Sequence, residues 1–453
     1  MLVTTRNWYL VRIVPAIVGA FSALCIWVLW FGANSDRDNV PSLVNHLIPA
    51  GHCACRTAVS FQCASCLQCA ATTPISPSPA ERTYNPVYDA HNRSLDASQC
   101  QSFFPGLYED IHRAESFWST KNNITRHELD DIHLVDGMAR AAIVQGQLYV
   151  IAARAKGEDH RRKILGTLAS INRALSSSRA TSLPDTEFIF SIEDKVNDVT
   201  GPNHPLWVLA RKAEEEAVWL MPDFGFWAWE HGGSESHIGP YTQVVDRILD
   251  NNVSWDEKEP KLVWRGKLSF AAKMRRALLE AARDQPWGDV KELDWHRKAN
   301  FISMEDHCRY RFIAHVEGRS YSASLKYRQA CGSVVVAHQL QYIQHHHYLL
   351  VSSGPEQNFV EVKRDFSDLQ EKMQALLDDP AAAERIARNS VATFRDRYLT
   401  PAAESCYWRE LLSGWTAVSS HVSETVSSSQ LVRRGMRFES FVLLPSQDML
   451  HFP

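Results

Sequence analysis

The 453-residue chain lacks an excess of either charge: 48 Lys and Arg stand against 52 Asp and Glu, for a net charge of −4. Nothing in that balance points to nucleic acid or an anionic surface as the main partner. Metal-ligand patterns are scarce as well. No Asp-x-Asp triplet stands at a strand end in the body. In the run His345-His346-His347, consecutive strand residues would point to alternating faces, so three imidazoles would not converge on one ion. No metal and no other cofactor is therefore expected. Cysteine is sparse and uneven. Cys53, Cys55, Cys63, Cys66 and Cys69 crowd together without the second well-spaced pair of a zinc site, which favours disulfides. Cys100, Cys308, Cys331 and Cys406 are dispersed through the body, and their order does not reveal a pairing.

What is present begins with one long apolar run. Ile13–Gly32 holds 20 uncharged residues, enough at a helical rise to span a bilayer core of about 30 Å. Arg6 and Arg12 precede it, while Asp36, Arg37 and Asp38 follow with no net positive charge. This orients the remainder away from the cytosol, as a type II anchor in a Golgi or other secretory-pathway membrane with a luminal body. A cleaved signal peptide is the rival reading, against which the length of the apolar core argues. The triplets Asn92-Arg93-Ser94, Asn123-Ile124-Thr125 and Asn252-Val253-Ser254 are glycosylation acceptors that agree with luminal exposure. Residues 1–12 read as a cytosolic tail, 13–32 as the anchor and 33–99 as a stem punctuated by Pro74, Pro77, Pro79 and Pro86.

The body reads as α/β. Ala141–Ala152 is a hairpin about Gln145-Gly146, Asp159–Ser176 a helix, Glu187–Ile192 a buried strand, and Trp219–Met221 another short one. From about residue 255 strands and helices alternate. Leu262–Arg265, Tyr310–Val316, Val334–Ala337 and His347–Ser352 read as strands, with helices at Ala271–Arg283 and Ser320–Ala330. Amphipathic helices at Asp368–Leu377, Pro380–Tyr398 and Pro401–Trp415 would close this half. The expected boundaries are 100–254 and 255–417, followed by a Ser-rich linker and tail at 418–453.

Two segments carry chemistry. Lys261–Ser269 and His307–His338 each place a buried strand before a Gly-containing turn and a basic helix, which presents N–H groups and cations to a phosphate. Arg265 after its strand, turning through Gly266, points a guanidinium at a diphosphate; an ordinary strand-end ion pair is the alternative. Lys267 would add a point charge, and Ser269 would cap the next helix or bond a phosphate oxygen. Gly318, Arg319, Ser320 and Ser322 form a second cradle, with Lys326 one turn on. Glu317 is either a ribose or sugar ligand or a plain strand-end acid. Asp194, following the strand EFIFSI, faces a cleft as a general base, with Glu193 and Asp198 as competitors and an exposed loop acid as the bland alternative.

The order PDFGFWAWE (Pro222–Glu230), WRGKLS, CRYRF, EGRSYSASLKYRQACGS and ERIARNSVATFRDRYLTPAAESCYW resembles family 90 glycosyltransferases from about Cys100 to Trp415. That group includes Rumi-type protein O-glucosyltransferases and fungal capsule-associated xylosyltransferases. The resemblance implies a GT-B-like fold, two Rossmann-like domains around a cleft, behind the N-terminal transmembrane anchor and stem. It implies an inverting transfer of xylose or glucose from a UDP-sugar to a hydroxyl of a glycan or glycoprotein, independent of metal. Asp194 matches the base position of the Rumi-type members, and Trp227 and Trp229 fall where the family places an aromatic wall. One departure stands out: those members carry Arg where this chain has Ser324. The words GPEQNFVEV and RYLTPAAESCYWREL tilt the acceptor towards a cell-wall or capsule glycan. A protein O-glucosyltransferase and an inactive sugar-nucleotide-binding scaffold are the alternatives.

Overall fold

The computed structural model describes residues 82–178, 185–196, 203–227, 229, 238–251, 253–294, 300–419 and 435–444, with Ser22. The apolar run 13–32 (Ser22 apart), the five clustered cysteines and Asn252 lie outside these. Among the described residues no helix is long and apolar enough to cross a membrane. Residues 82–99, read as the end of a stem, pack on the body. Leu95 is buried, and Tyr84 lies edge-on to Phe103 and Phe104 while donating to the Asp396 carbonyl at 2.8 Å.

Helices α1 (Ala97–Phe103) and α2 (Glu109–Thr120) precede the hairpin β1 (Met138–Val144) and β2 (Gln147–Arg154). Gln145 and Gly146 adopt positive φ of 52° and 73°, the pair of left-handed residues that a two-residue turn needs to match strand twist. Then follow α3 (Glu158–Ser176), β3 (Thr186–Ser191), β4 (Trp207–Val208) and β5 (Trp219–Leu220). β3 runs antiparallel to β1, while β4 and β5 extend the sheet in parallel.

After α4 (Tyr241–Asp250) the second half alternates: β6 (Glu259–Gly266), α5 (Ala272–Ala281), β7 (Gly288–Glu292), β8 (Tyr310–His315), α6 (Leu325–Gln329), β9 (Val334–His338) and β10 (Val360–Val362). These five strands form an all-parallel sheet in the order β10-β9-β8-β6-β7. The chain steps outward from β6 to β7, then returns across β6 to β8. That reversal is a topological switch point, and ligands of such sheets bind outside the carboxyl ends of the two strands that flank it. Here those ends are Gly266 and His315.

Three readings are corrected. Ser320–Ala330 is helical only over Leu325–Gln329, because residues 318–324 form an irregular turn. His347–Ser352 is not a strand but begins with a 3-10 turn, His347–Leu349. The helix expected to close the second half, α9 (Pro401–Ala417), instead packs against the first sheet after α7 (Leu369–Asp378), α8 (Pro380–Thr393) and a π-helical turn at Phe394–Tyr398. Trp415 meets Trp207 and Trp219 edge-on at 5.6 and 5.4 Å, and Tyr407 donates to the Leu220 carbonyl at 2.9 Å. Each such buried aromatic contributes about 1.5–3 kcal/mol by burial, so the crossing is firmly seated. β11 (Met436–Arg437) then adds to the first sheet's edge beside β2. Disulfides join Cys100 to Cys406 and Cys308 to Cys331.

Candidate functional site

A cavity of about 280 Å³ opens at the switch point. The end of β6 supplies Trp264, Arg265, Gly266 and Lys267, and α5 supplies Arg275. The turn after β8 supplies Ser322 and Ser324, α6 supplies Arg328, and the segment before β8 supplies Phe301 to Glu305 and His307. Trp229, Ile238 and Arg247 complete the lining from the segment around α4.

The charge of this cavity rests on two arginines that side-chain type alone does not single out. Arg275 is buried and donates to the carbonyls of Glu317 (Nε, 3.1 Å) and Lys267 (Nη1, 2.7 Å), with its guanidinium 5.5 Å from the Trp264 ring. Arg328 is buried too. Its Nη1 lies 3.1 Å from His315 Nδ1, and its Nε has no partner among the described residues. Neither arginine forms an ion pair with a described carboxylate. Burial pushes the Arg275 guanidinium down to about 10; burial, then the charge of Arg275, pushes Arg328 down to about 9. Both remain charged at neutral pH, so two like charges line one cavity without a counter-ion among the described residues. Buried charges are paired or bind something of opposite sign, and a diphosphate is the anion that two convergent guanidinium forks suit.

The other expected residues fall in three groups. Arg265 lines the cavity but takes the ion-pair alternative: Nη2 meets Asp289 Oδ2 at 2.8 Å, and Nη1 donates to the Trp264 and Asp289 carbonyls. Tyr310 and Lys291 also hold Asp289, and these partners override its burial to bring the carboxyl down to about 2. Gly266 cannot carry a side chain, since a Cβ would meet the Trp264 ring at 2.5 Å. Lys267 lines the cavity 5.9 Å from the Phe270 ring. Ser269 is exposed and caps nothing; α5 starts from Ala271, whose φ is 46°.

In the second cradle Ser322 lines the cavity and its Oγ lies 2.9 Å from that of Ser324. Gly318 packs near Arg275, Arg319 is exposed, and Ser320 is buried with its hydroxyl unpartnered among the described residues. Lys326 is not presented to the cavity. It is buried, and its Nζ lies 2.8 Å from both carboxylate oxygens of Asp223. Asp223 in turn accepts from the Gly225 N–H at 2.7 Å, so the PDFGFWAWE and SLKYRQ words interlock as architecture. Glu317 proves an anchor rather than a ligand: Oε1 accepts from the Gln341 and Tyr342 N–H groups at 2.8 Å, and Oε2 meets Arg364 at 2.9 Å.

The two tryptophans part company. Trp229 lines the cavity and tilts against Tyr327, whereas Trp227 lies under the Arg173 guanidinium at 3.7 Å. Asp194 follows β3, partly buried, outside the cavity lining. Its charge reaches Tyr321, whose hydroxyl is driven far up by burial and then by the charges of Asp223 and Asp194. Of the competing acids, Glu193 meets His160 at 3.2 Å, and Asp198 lies outside the described residues. His345 and His346 are buried and His347 is half-buried; desolvation is the chief cause that depresses the pKa of all three. Among the described residues no group of three or more His, Cys, Asp or Glu is placed to hold a metal ion.

Comparison with known proteins adds descent to geometry. Rat protein O-glucosyltransferase 1 is 23% identical over 278 residues, 57% of this chain and 69% of that protein. Rat protein O-glucosyltransferase 3 is 25% identical over 279 residues, covering 58% and 51%. The O-glucosyltransferase rumi homolog of Aedes aegypti is 24% identical over 255 residues, covering 51% and 61%. A family model described as glycosyl transferase family 90 matches residues 96–436, from the cap of α1 to the first residue of β11. Because that match takes in both sheets and the cavity between the ends of β6 and β8, the chain belongs to glycosyl transferase family 90.

Proposed function

We propose that this protein is an inverting, UDP-sugar-dependent O-glucosyltransferase acting on a hydroxyl of a protein. The names of the relatives favour glucose and a protein acceptor over the xylose and cell-wall glycan that the C-terminal words suggest. The observation that carries the donor half is the pair Arg275 and Arg328, without a carboxylate partner among the described residues, at the switch point of a parallel sheet. In this reading the first sheet's half (100–254, with α9 returning to it) receives the acceptor and the rest of 255–417 the donor, in a GT-B-like arrangement. The apolar run 13–32 holds the body in the lumen of the secretory pathway.

Asp194 takes the proton from the acceptor hydroxyl as its oxygen attacks the anomeric carbon. The bond from that carbon to the diphosphate oxygen breaks, and UDP leaves with its charge held by Arg275, Arg328 and Lys267. Negative charge grows on the leaving oxygen in the transition state. Guanidiniums already fixed by Glu317, Lys267 and His315 stabilise it without reorganising.

The test is UDP release by the full chain with UDP-glucose, UDP-xylose, UDP-galactose and UDP-N-acetylglucosamine, with folded-domain and mannoside acceptors. Acceptor-dependent release from UDP-glucose, reduced about 10²–10⁴-fold in Asp194→Asn with UDP affinity retained, supports the assignment. Release from UDP-xylose with mannosides alone replaces the acceptor and donor. UDP binding without turnover on any pair makes the chain a binding scaffold, and parental turnover in Asp194→Asn removes Asp194 as base.

A further inference from the structure

His307 lines the same cavity and is 6% exposed. Its Nδ1 lies 2.7 Å from the Ser303 carbonyl oxygen. A carbonyl only accepts, so Nδ1 carries the proton and Nε2 presents a bare lone pair. That nitrogen is buried and has no partner among the described residues. Burial, followed by the charge of Arg328, holds the ring's pKa down at about 4, so the imidazole stays neutral at physiological pH. The ring is fixed from both sides in sequence. It stands in the 3-10 turn Glu305–Arg309, and the next residue, Cys308, is bridged to Cys331 beyond α6.

The setting makes this lone pair unusual. The surrounding cations Arg265, Lys267, Arg275 and Arg328 are donors only, and the nearby carboxylate Glu305 is engaged by Arg247 at 3.1 Å. A buried acceptor without a donor carries a desolvation penalty, which a ligand bearing an O–H or N–H removes. An inorganic diphosphate offers its oxygens to the arginines but has no ribose hydroxyl or base N–H to place at His307. A nucleoside diphosphate offers both.

Resting on the diphosphate reading above, we propose that His307 is a specificity-determining residue. Its Nε2 accepts a hydrogen bond from the nucleoside part of the ligand while the arginines hold the phosphates. The donor is either a ribose hydroxyl or the N–H of the base, and the two are separated by experiment. Calorimetric titration of the full chain would compare UDP, 2′-deoxy-UDP, 3′-deoxy-UDP, N3-methyl-UDP and inorganic pyrophosphate. The expected result is that UDP binds about tenfold tighter than one of the three modified nucleotides, equivalent to a single hydrogen bond. A deoxy analogue would name the ribose, and the methylated base would name the N–H.

His307→Asn places an amide N–H near the Ser303 carbonyl but nothing at Nε2. It should weaken UDP about tenfold, leave pyrophosphate unchanged and lose the discrimination. His307→Gln, which brings an amide oxygen towards the Nε2 position, should recover part of it. Equal weakening of UDP and pyrophosphate in His307→Asn, or discrimination that persists there, would overturn the proposal. If His307→Asn does not fold, the wild-type series decides: equal binding of all four nucleotides overturns the proposal, and discrimination that weakens in His307→Gln supports it. Pyrophosphate binding without preference for UDP removes only the role of His307. Binding of neither by the wild-type chain removes the diphosphate reading itself.

Discussion

Replacing Arg328 with methionine should make the ligand-free protein more stable while removing its grip on diphosphate. The guanidinium is buried, touches a neutral imidazole rather than a carboxylate, and leaves Nε unpaired among the described residues. Its fall from the ordinary arginine value to about 9, at 1.36 kcal/mol per pH unit, amounts to roughly 5 kcal/mol of folding free energy withheld while the group stays charged. Met keeps most of the apolar stem and removes that term. The loss of the bond to His315 gives back about 1–2 kcal/mol. The balance is a gain on the order of 3 kcal/mol, read as a rise of several degrees in melting temperature. Diphosphate should act in the opposite sense on the two proteins, raising the melting temperature of the parent strongly and that of Arg328→Met little. The pH dependence has a definite sign. Above about 9, and below the ordinary arginine value, the unfolded chain keeps the Arg328 proton that the folded chain releases, so parental stability gains from this group as pH rises and the gap to Arg328→Met closes. Scanning calorimetry with and without UDP and pyrophosphate measures all of this. A variant that melts well below the parent yet binds UDP with parental affinity would refute the reasoning and make Arg328 a structural cation.

Asp223→Leu and Lys326→Met should each cost about 3–5 kcal/mol, because each strands a buried charge, whereas the double variant Asp223→Leu/Lys326→Met should cost much less than their sum; urea unfolding of the four proteins measures the coupling. Asp289, held at about 2 by its partners, contributes stability that is fully present above its ordinary value of 3.8 and is lost as pH falls through about 2. Asp289→Asn should therefore lose about 2 kcal/mol at neutral pH and flatten the acid limb of a stability–pH curve. Gly288→Ala should destabilise by about 1–3 kcal/mol, since its Cβ would press on the backbone carbonyl of Ala282; a shift in urea midpoint at unchanged slope is the expected signature.

The elements that were legible are those whose local chemistry agrees with their place. Gln145-Gly146 between apolar runs forms the hairpin turn, and the apolar cores of β6, β8 and β9 mark the parallel sheet. β7 was not, because GDVKE is a half-exposed edge strand whose polar side chains give no apolar run. The three histidines mislead for a related reason: apolar residues follow them, but His345 and His346 are buried and the chain then enters a 3-10 turn at His347–Leu349. The site was legible in position and less so in its residues. Strand–turn–helix order places a phosphate site after β6 and β8, where the cavity lies, yet residue type does not reveal a charge's partner. Arg265 is answered by Asp289, 24 residues on, and Lys326 by Asp223, 103 residues earlier.

Arg275 and Arg328 carried a fainter signal. Arg275 is flanked by Met274 and Leu278 on the buried face of α5, and Arg328 lies among Leu325, Tyr327 and Ala330. An arginine on the apolar face of a helix must bring a counter-charge or await one. Lys326 has brought its own and so holds the two halves of the fold together. Arg275 and Arg328 have none among the described residues, while the buried tryptophans of α9 supply stability elsewhere in the fold. On the function proposed above, the cost of keeping them charged is what a bound diphosphate would offset, so that cost and the affinity for a doubly charged ligand are one quantity seen from two sides.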